Sequence, residues 1–401
     1  MKKKFIDLFS GAGGMSCGLE MAGFQGLLGV DYDAIALETF QLNHPNAKTI
    51  VSDLREISVE TIQEAVGYQK VDLVCGGPPC QGFSTIGQNN HQDQRNFLFW
   101  EFLRIIKGLS PDYVIMENVT GLLSRRNEAT LKVILDSFTK IGYRVDIKVL
   151  SAHHYGVPEK RRRTILLANR FQVKNLYPEM RFTDAEEGEE NLSLPRTVGW
   201  AFHHLRTDDD QIFNHDLEKA QITNPLEKKR LSYIPEGGSV RYEKDQKAYL
   251  PPELWFDVDW NQLLEKRFRE AKLRRLDRAA CAGTINTSRT TFYHPIEDRY
   301  LTAREAAAIQ SFPANFVFCG TITQQWRQIG NAVPPLMAKA IGEAILQLDQ
   351  QKENMEKAID CPEIDAARSR AFSYRQLKSK TSKSVQLKLL LDHRDRAFDH
   401  Q

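Results

Sequence analysis

Short apolar runs recur through the first 170 residues, each closed by glycines, prolines or acids. Phe5-Ile6-Asp7-Leu8-Phe9 is β-prone and stops at Ser10-Gly11-Ala12-Gly13-Gly14, after which a helical pattern runs through Leu19 and Ala22 to Gly23. Gly26 to Val30 ends at Asp31-Tyr32-Asp33, and Thr49-Ile50-Val51 ends at Ser52-Asp53-Leu54. Val71-Asp72-Leu73-Val74 runs into the stiff segment Cys75-Gly76-Gly77-Pro78-Pro79-Cys80-Gln81-Gly82-Phe83-Ser84. Tyr113-Val114-Ile115-Met116 runs into Glu117-Asn118-Val119. Helical patterns at Phe97–Ile106 and Leu131–Phe138 alternate with strand patterns at Tyr143–Leu150 and Thr164–Ala168. This alternation predicts an α/β fold opening on a βαβ unit, whose ligands bind at the C-terminal ends of the strands.

From about Phe171 to Asp298 the alternation fades into polar, proline- and aromatic-containing segments, which reads as a second, smaller domain. Glu186-Glu187-Gly188-Glu189-Glu190 reads as an acidic linker. The stretches Lys228–Ser239 and Lys266–Arg278 mix basic and aromatic residues, as a surface touching DNA would. An ordinary charged helix explains Lys266–Arg278 equally well. Helix returns at Leu301–Ser311, where Thr302 and Glu305 have capping-box spacing, and again at Leu336–Leu348 after Gln328-Ile329-Gly330-Asn331-Ala332-Val333-Pro334-Pro335. Between Ala366 and Leu391 there are Lys and Arg but no acid, which predicts a loosely ordered tail.

Composition changes this picture little. A chain of 401 residues with 41% hydrophobic and 26% charged residues can bury a full core across two lobes. The net charge of +2 does not announce a nucleic-acid binder, so any DNA-binding face must come from local clustering. The six cysteines show no Cys-x-x-Cys pair, so neither a disulfide framework nor a metal site is expected. The basic Met1-Lys2-Lys3-Lys4 start lacks the apolar run of a signal peptide, and no 18-residue apolar stretch follows, so the expectation is a cytoplasmic protein without a membrane partner.

Candidate chemistry lies at the strand ends. Cys80, presented by a rigid loop, is a candidate nucleophile, although an unpaired cysteine is as readily a small buried hydrophobe. The first glycine turn lacks Gly-x-Gly-x-x-Gly spacing, which argues against a dinucleotide; a ligand without a pyrophosphate, such as S-adenosylmethionine, needs only close backbone approach, and a purely structural turn stays open. Asp31 stands where a βαβ unit hydrogen-bonds ribose hydroxyls, Tyr32 offers a flat face for adenine, and Asp53 could accept from the adenine amino group. Each acid is equally a helix N-cap candidate. Glu117 is a plausible general acid/base or a capping residue, and the basic run Arg161-Arg162-Arg163 could bind phosphate or a base carbonyl.

Taken in order, Asp7–Gly14, Pro78-Pro79-Cys80-Gln81, Glu117-Asn118-Val119, Arg161-Arg162-Arg163, Arg304-Glu305 and Gly330-Asn331 resemble the motifs of the C5-cytosine DNA methyltransferases of bacterial restriction-modification type. The resemblance implies a Rossmann-like methyltransferase lobe with an inserted target-recognition lobe. It divides the chain into a catalytic and cofactor-binding domain at 1–185, a target-recognition domain at 186–320, a return to the catalytic domain at 321–350, and a basic C-terminal tail at 351–401. It implies S-adenosylmethionine as cofactor, S-adenosylhomocysteine as product and no metal. Phe9, Gly11, Gly13, Asp31, Tyr32, Asp53, Leu54, Pro79, Leu98, Asn331 and Val333 would line the cofactor site. Cys80 would attack C6 of a cytosine flipped out of the duplex, and protonated Glu117 would donate to N3. Arg161 or Arg163, the latter the closer match, would neighbour O2. The polar stretch Gln88–Asn96 is the candidate lid. The implied partners are double-stranded DNA and a cognate restriction endonuclease, with the chain a monomer. Two rivals are an RNA (tRNA) cytosine-5 methyltransferase and a non-enzymatic DNA-binding relic; the long basic-aromatic insert favours duplex DNA over the first, and an intact Cys80, Glu117 and glycine turn argue against the second.

Overall fold

The computed structural model describes residues 2–79, 97–183, 192–358 and 362–371. The chain divides into two compact units, one of Met1–Ala152, Arg162–Met180 and Val333–Gln401, the other of His153–Arg161 and Arg181–Ala332.

The first unit is built on a sheet of β1 (Lys4–Leu8), β2 (Gln25–Asp31), β3 (Lys48–Val51), β4 (Leu73–Gly76), β5 (Tyr113–Asn118), β6 (Arg144–Ser151) and β7 (Arg162–Asn169), in the order β3-β2-β1-β4-β5-β7-β6. Helices α1 (Gly14–Ala22), α2 (Ala34–Asn43), α3 (Val59–Ala65), α4 (Phe97–Leu109) and α5 (Glu128–Lys140) form the connections. Strands β1 to β5 are mutually parallel, with Leu8 opposite Val30 on one side and Gly76 on the other. Helix cover on both faces explains why β1 and β4 read as continuous apolar runs. From β1 the chain winds outward to β2 and β3, then returns to β4 on the other side. The strand order therefore reverses between β1 and β4, and the crevice at that switch point lies between the turns after Leu8 and Gly76.

Strand β7 runs antiparallel to both β5 and β6. No helical crossover separates β6 from β7, only the 3-10 turn Ala152–Tyr155 and a short segment, so the chain can re-enter the sheet only in the reverse direction.

The second unit holds α6 (Val198–His203), α7 (Pro225–Leu231), α8 (Glu243–Tyr249), α9 (Ala303–Ile309), α10 (Ile322–Asn331) and the two-stranded ribbon of β8 (Val240–Tyr242) and β9 (Arg267–Lys272). Leu231, Ile234, Val240, Leu254, Trp260, Leu273, Tyr293 and Tyr300 pack into a core beneath the ribbon. The charged-helix alternative for Lys266–Arg278 is not realised: the segment opens as strand β9, and Arg275 is buried, donating to the carbonyls of Leu231, Ile234, His294 and Glu297. At α9, Thr302 caps the helix as its spacing predicts: its Oγ1 accepts from Glu305 N–H, while its own N–H donates to the Glu305 carboxylate.

The chain then returns to the first unit with α11 (Pro335–Gln351), which packs on α1, and α12 (Ile364–Ala371). Gly18 makes the α1–α11 approach close: a Cβ there would lie 2.3 Å from the Pro335 carbonyl oxygen and 2.5 Å from Ala338 Cβ. Helix α12 falls partly within the stretch expected to be a loose tail, and its described residues are instead packed. Ala367 and Ala371 join the core, and buried Arg368 donates to Leu123 O and to Glu128.

Candidate active site

The turn after β1 is left-handed at three positions, Phe9, Gly11 and Gly13. Gly13 caps α1 and has no room for a Cβ, which would meet His44 at 2.4 Å and Phe40 at 2.9 Å. A Cβ on Gly11, by contrast, would meet nothing within 4 Å, so its backbone borders open space. Asp31 fastens this turn to the end of β2: Oδ2 accepts from Gly11 N–H at 2.8 Å and Oδ1 from Asp33 N–H at 2.9 Å. Burial pushes the Asp31 carboxyl above the usual carboxylate range. The N-cap role falls to Asp33, which accepts from Ile35 and Ala36. Tyr32 stands between the two acids with 75% of its surface exposed.

At the end of β3, Asp53 pairs with Arg55 through Oδ1–Nε at 2.9 Å and Oδ2–Nη2 at 2.7 Å, and the guanidinium holds its carboxyl below the usual range. Leu54 is buried in the main core, with Phe9 and Leu98 partly buried against it. Val333 is buried in the first unit, whereas Asn331 is the exposed last residue of α10 in the second.

The turn after β4 is equally tight. A Cβ on Gly76 would fall 2.3 Å from the Leu8 carbonyl oxygen, and one on Gly77 would fall 3.1 Å from Glu117 Oε2. Glycines therefore let the loop carrying half-buried Pro79 pass directly over β1 and beside the Glu117 carboxylate. Asn118 secures that loop: buried Nδ2 donates to Pro78 O at 2.9 Å, and Oδ1 accepts from Val119 N–H at 3.0 Å. Nothing in the periodicity singled out Asn118; its signals were its place directly after Glu117 at a strand end and its membership of the Glu117-Asn118-Val119 motif. Cys80 and the candidate lid Gln88–Asn96 lie outside the described residues.

The structure brings Glu117 and Arg163 together. The antiparallel β5–β7 ladder sets Asn118 opposite Thr164, and Arg163 Nε reaches Glu117 Oε1 at 2.7 Å, each side chain 14% exposed. Arg161 has a different environment. It is 1% exposed in the second unit, and its guanidinium donates to the carbonyls of Ile285 at 3.0 Å and Gly330 at 2.8 Å. Behind the first turn, Asp7 accepts from Ser16 Oγ at 2.7 Å, and burial pushes its carboxyl up to about 7. Among the described residues no group of three or more His, Cys, Asp or Glu is placed to hold a metal, and no helix is long and apolar enough to cross a membrane.

With this geometry in hand, the chain can be set beside known proteins. The family model of C-5 cytosine-specific DNA methylases matches residues 3–347. The Type II methyltransferase M1.HphI of Haemophilus parahaemolyticus is 35% identical over 356 residues, covering 87% of this chain and 88% of that protein. The Type II methyltransferase M.DdeI of Desulfomicrobium norvegicum is 31% identical over 373 residues, covering 85% and 88%. A solved structure described as a DNA modification methyltransferase encoded within an E. coli prophage shares the fold, with a TM-score of 0.65, 23% identity and coverage of 87% of this chain and all of that one. Matched from just before β1 into α11, the chain belongs to the C-5 cytosine-specific DNA methylases.

Proposed function

We propose that this DNA (cytosine-5-)-methyltransferase is the modification half of a restriction-modification system, methylating one cytosine within a specific duplex site. The observation that carries the reading is the Glu117–Arg163 pair at 2.7 Å, against the glycine loop that leads into Cys80. In this reading the first unit performs the chemistry and the second recognises DNA.

The C-terminal edge of the sheet suits S-adenosylmethionine, the cofactor of this family. Gly11 borders open space, Tyr32 offers an exposed ring for adenine, and Asp31 and Asp53 each present a carboxylate near the end of a strand. When bound, the cofactor supplies a sulfonium methyl group as electrophile. Asp31 would accept from ribose hydroxyls, and Asp53 from the adenine amino group. Phe9, Gly11, Gly13, Leu54, Pro79, Leu98 and Val333 would complete the lining.

Cytosine C5 is a poor nucleophile within an aromatic ring. Cys80 thiolate adds to C6, breaking aromaticity and making C5 enamine-like. Glu117, once it has taken up a proton from water, gives it to N3 as charge develops there, and Arg163 stabilises the same charge at O2, an effect on the order of 3 kcal/mol. Arg161, with its guanidinium spent on two carbonyls, supports the fold of the second unit in this scheme. After methylation a water or hydroxide base takes the C5 proton, the C6–S bond breaks with its electron pair returning to the Cys80 thiolate, and N3 gives its proton back to Glu117, which restores the aromatic base. Stacked bases are inaccessible to these groups, so the cytosine must be flipped out. We place the enzyme in the cytoplasm as a monomer, paired with an endonuclease cutting the same site.

The test is methyl transfer from labelled S-adenosylmethionine to duplex DNA and to tRNA, followed by mapping of the modified base. Label at C5 of cytosine in one short duplex site is the expected result. Label in tRNA alone would overturn the substrate, and no label in either would overturn the enzymatic reading.

A further inference from the structure

Most arginines of the second unit have partners. Arg275 is spent on carbonyls, Arg278 pairs with Glu236, Arg299 with Glu305, and Arg230 donates to Leu254 and Trp255. Arg241, in the middle of β8, and Arg274, two residues beyond β9, are exceptions. Val240 pairs with Lys272, and Arg275 N–H donates to Gly238 O at 3.0 Å, so β8 lies directly alongside the segment that carries Arg274. Val240 and Leu273 are buried in the core, while Arg241 is half-buried and Arg274 exposed.

Among the described residues neither guanidinium meets a carboxylate. Asp245, close by in α8, is spent on the backbone N–H groups of Arg241 and Tyr242. Arg241 Nε is buried without a hydrogen-bond partner. The Arg274 guanidinium lies 4.7 Å from the centroid of the buried Phe292 ring. It also occupies the space over Gly283, where a Cβ would come within 2.9 Å of Nη2. Its plane is therefore set in advance while its fork of donors remains unused. Burial and, after it, the Arg241 charge hold Arg274 below the usual arginine range. Two like charges held together with an unused donor cost free energy that a bound anion would return.

We propose that Arg241 and Arg274 form a clamp for a single DNA backbone phosphate on the second unit. A base edge offers a guanidinium fork two acceptors but no net charge, and so leaves the repulsion in place. A phosphodiester brings one full negative charge and two equivalent oxygens, which match a fork on one side and a single donor on the other. This clamp holds the DNA in register without reading its sequence. The inference rests on the reading that the chain acts on duplex DNA.

The test is equilibrium binding of the full chain to its cognate duplex and to an unrelated duplex, across a series of salt concentrations. In Arg241→Gln/Arg274→Ala the slope of log K against log salt should shrink by about 0.9, the value of one lost phosphate contact. Affinity should fall by a similar factor, roughly tenfold, on both duplexes. Arg274→Lys keeps the charge and should retain most of the slope, which separates a lost contact from a misfolded unit. An unchanged slope and affinity would overturn the clamp. So would a loss confined to the cognate duplex, which would signify base reading. A parent chain that bound no duplex would overturn the DNA reading along with it.

Discussion

Replacing Arg163 by alanine removes the cation that sits 2.7 Å from Glu117 Oε1. At that separation the Coulomb attraction is about 6 kcal/mol for an effective dielectric near 20 and about 1.5 kcal/mol in bulk water. Both side chains are only 14% exposed, which puts the pair nearer the first limit, while the cost of desolvating two charges opposes it. A net coupling of about 2 kcal/mol is the expected balance. If Arg163 also faces the developing charge on the base, its loss should lower the single-turnover methylation rate about 100- to 1000-fold, as for a lost oxyanion donor. The assay is single-turnover transfer of labelled methyl to the mapped duplex site, with cofactor affinity measured separately by calorimetry and expected to stay near the parent value. Glu117→Gln should be similarly slow. The double variant should lose less than the two singles combined, by roughly 30-fold, because the residues act as one unit. Arg163→Lys, which keeps the charge without the fork, should fall between. A rate for Arg163→Ala within about fivefold of the parent would refute the reasoning. Strictly additive losses would leave both residues important but dissolve the unit proposed here.

Three further outcomes are expected. Cys80→Ala should abolish methyl transfer while retaining duplex affinity in a gel-shift assay, since phosphate and base contacts lie elsewhere; normal turnover would sink the covalent mechanism. Asp7, whose carboxyl is pushed up to about 7 by burial, binds its proton more tightly folded than unfolded, so its stabilising contribution is complete below about pH 4 and is lost as pH rises through about 7. Asp7→Asn should flatten that decline, about 2.7 kcal/mol at most, in chemical denaturation between pH 5 and pH 8.5; parallel curves for parent and variant would contradict it. Gly18→Ala drives a Cβ to 2.3 Å from the Pro335 carbonyl and should cost about 1–3 kcal/mol in a urea melt, a cost that would be absent if α1 and α11 could simply part.

Much of both units was legible because the determinants are local. The β1 run followed by glycines, the acids closing β2 and β3, and the Thr302–Glu305 cap are features of neighbouring residues, and each appears as the pattern predicts. Glycine positions carried meaning for the same reason: Gly76 and Gly77 are small because backbone and a carboxylate pass against them. Only the tertiary structure decided which member of a similar pair does which job. Asp31 stood open as a ribose ligand or an N-cap until the fold brought Gly11 to it, 20 positions away in sequence, and gave the cap to Asp33. Arg161 and Arg163 differ by two positions in one basic run, yet the first answers to carbonyls 124 and 169 residues distant and the second to a carboxylate on a neighbouring strand. The direction of β7 and the strand at Arg267–Lys272 also escaped the pattern, because pairing partners, not intrinsic preference, set both. Hydrophobic periodicity names an element and its buried face, but a charged side chain takes its role from whichever distant backbone or carboxylate the completed fold sets within about 3 Å of it.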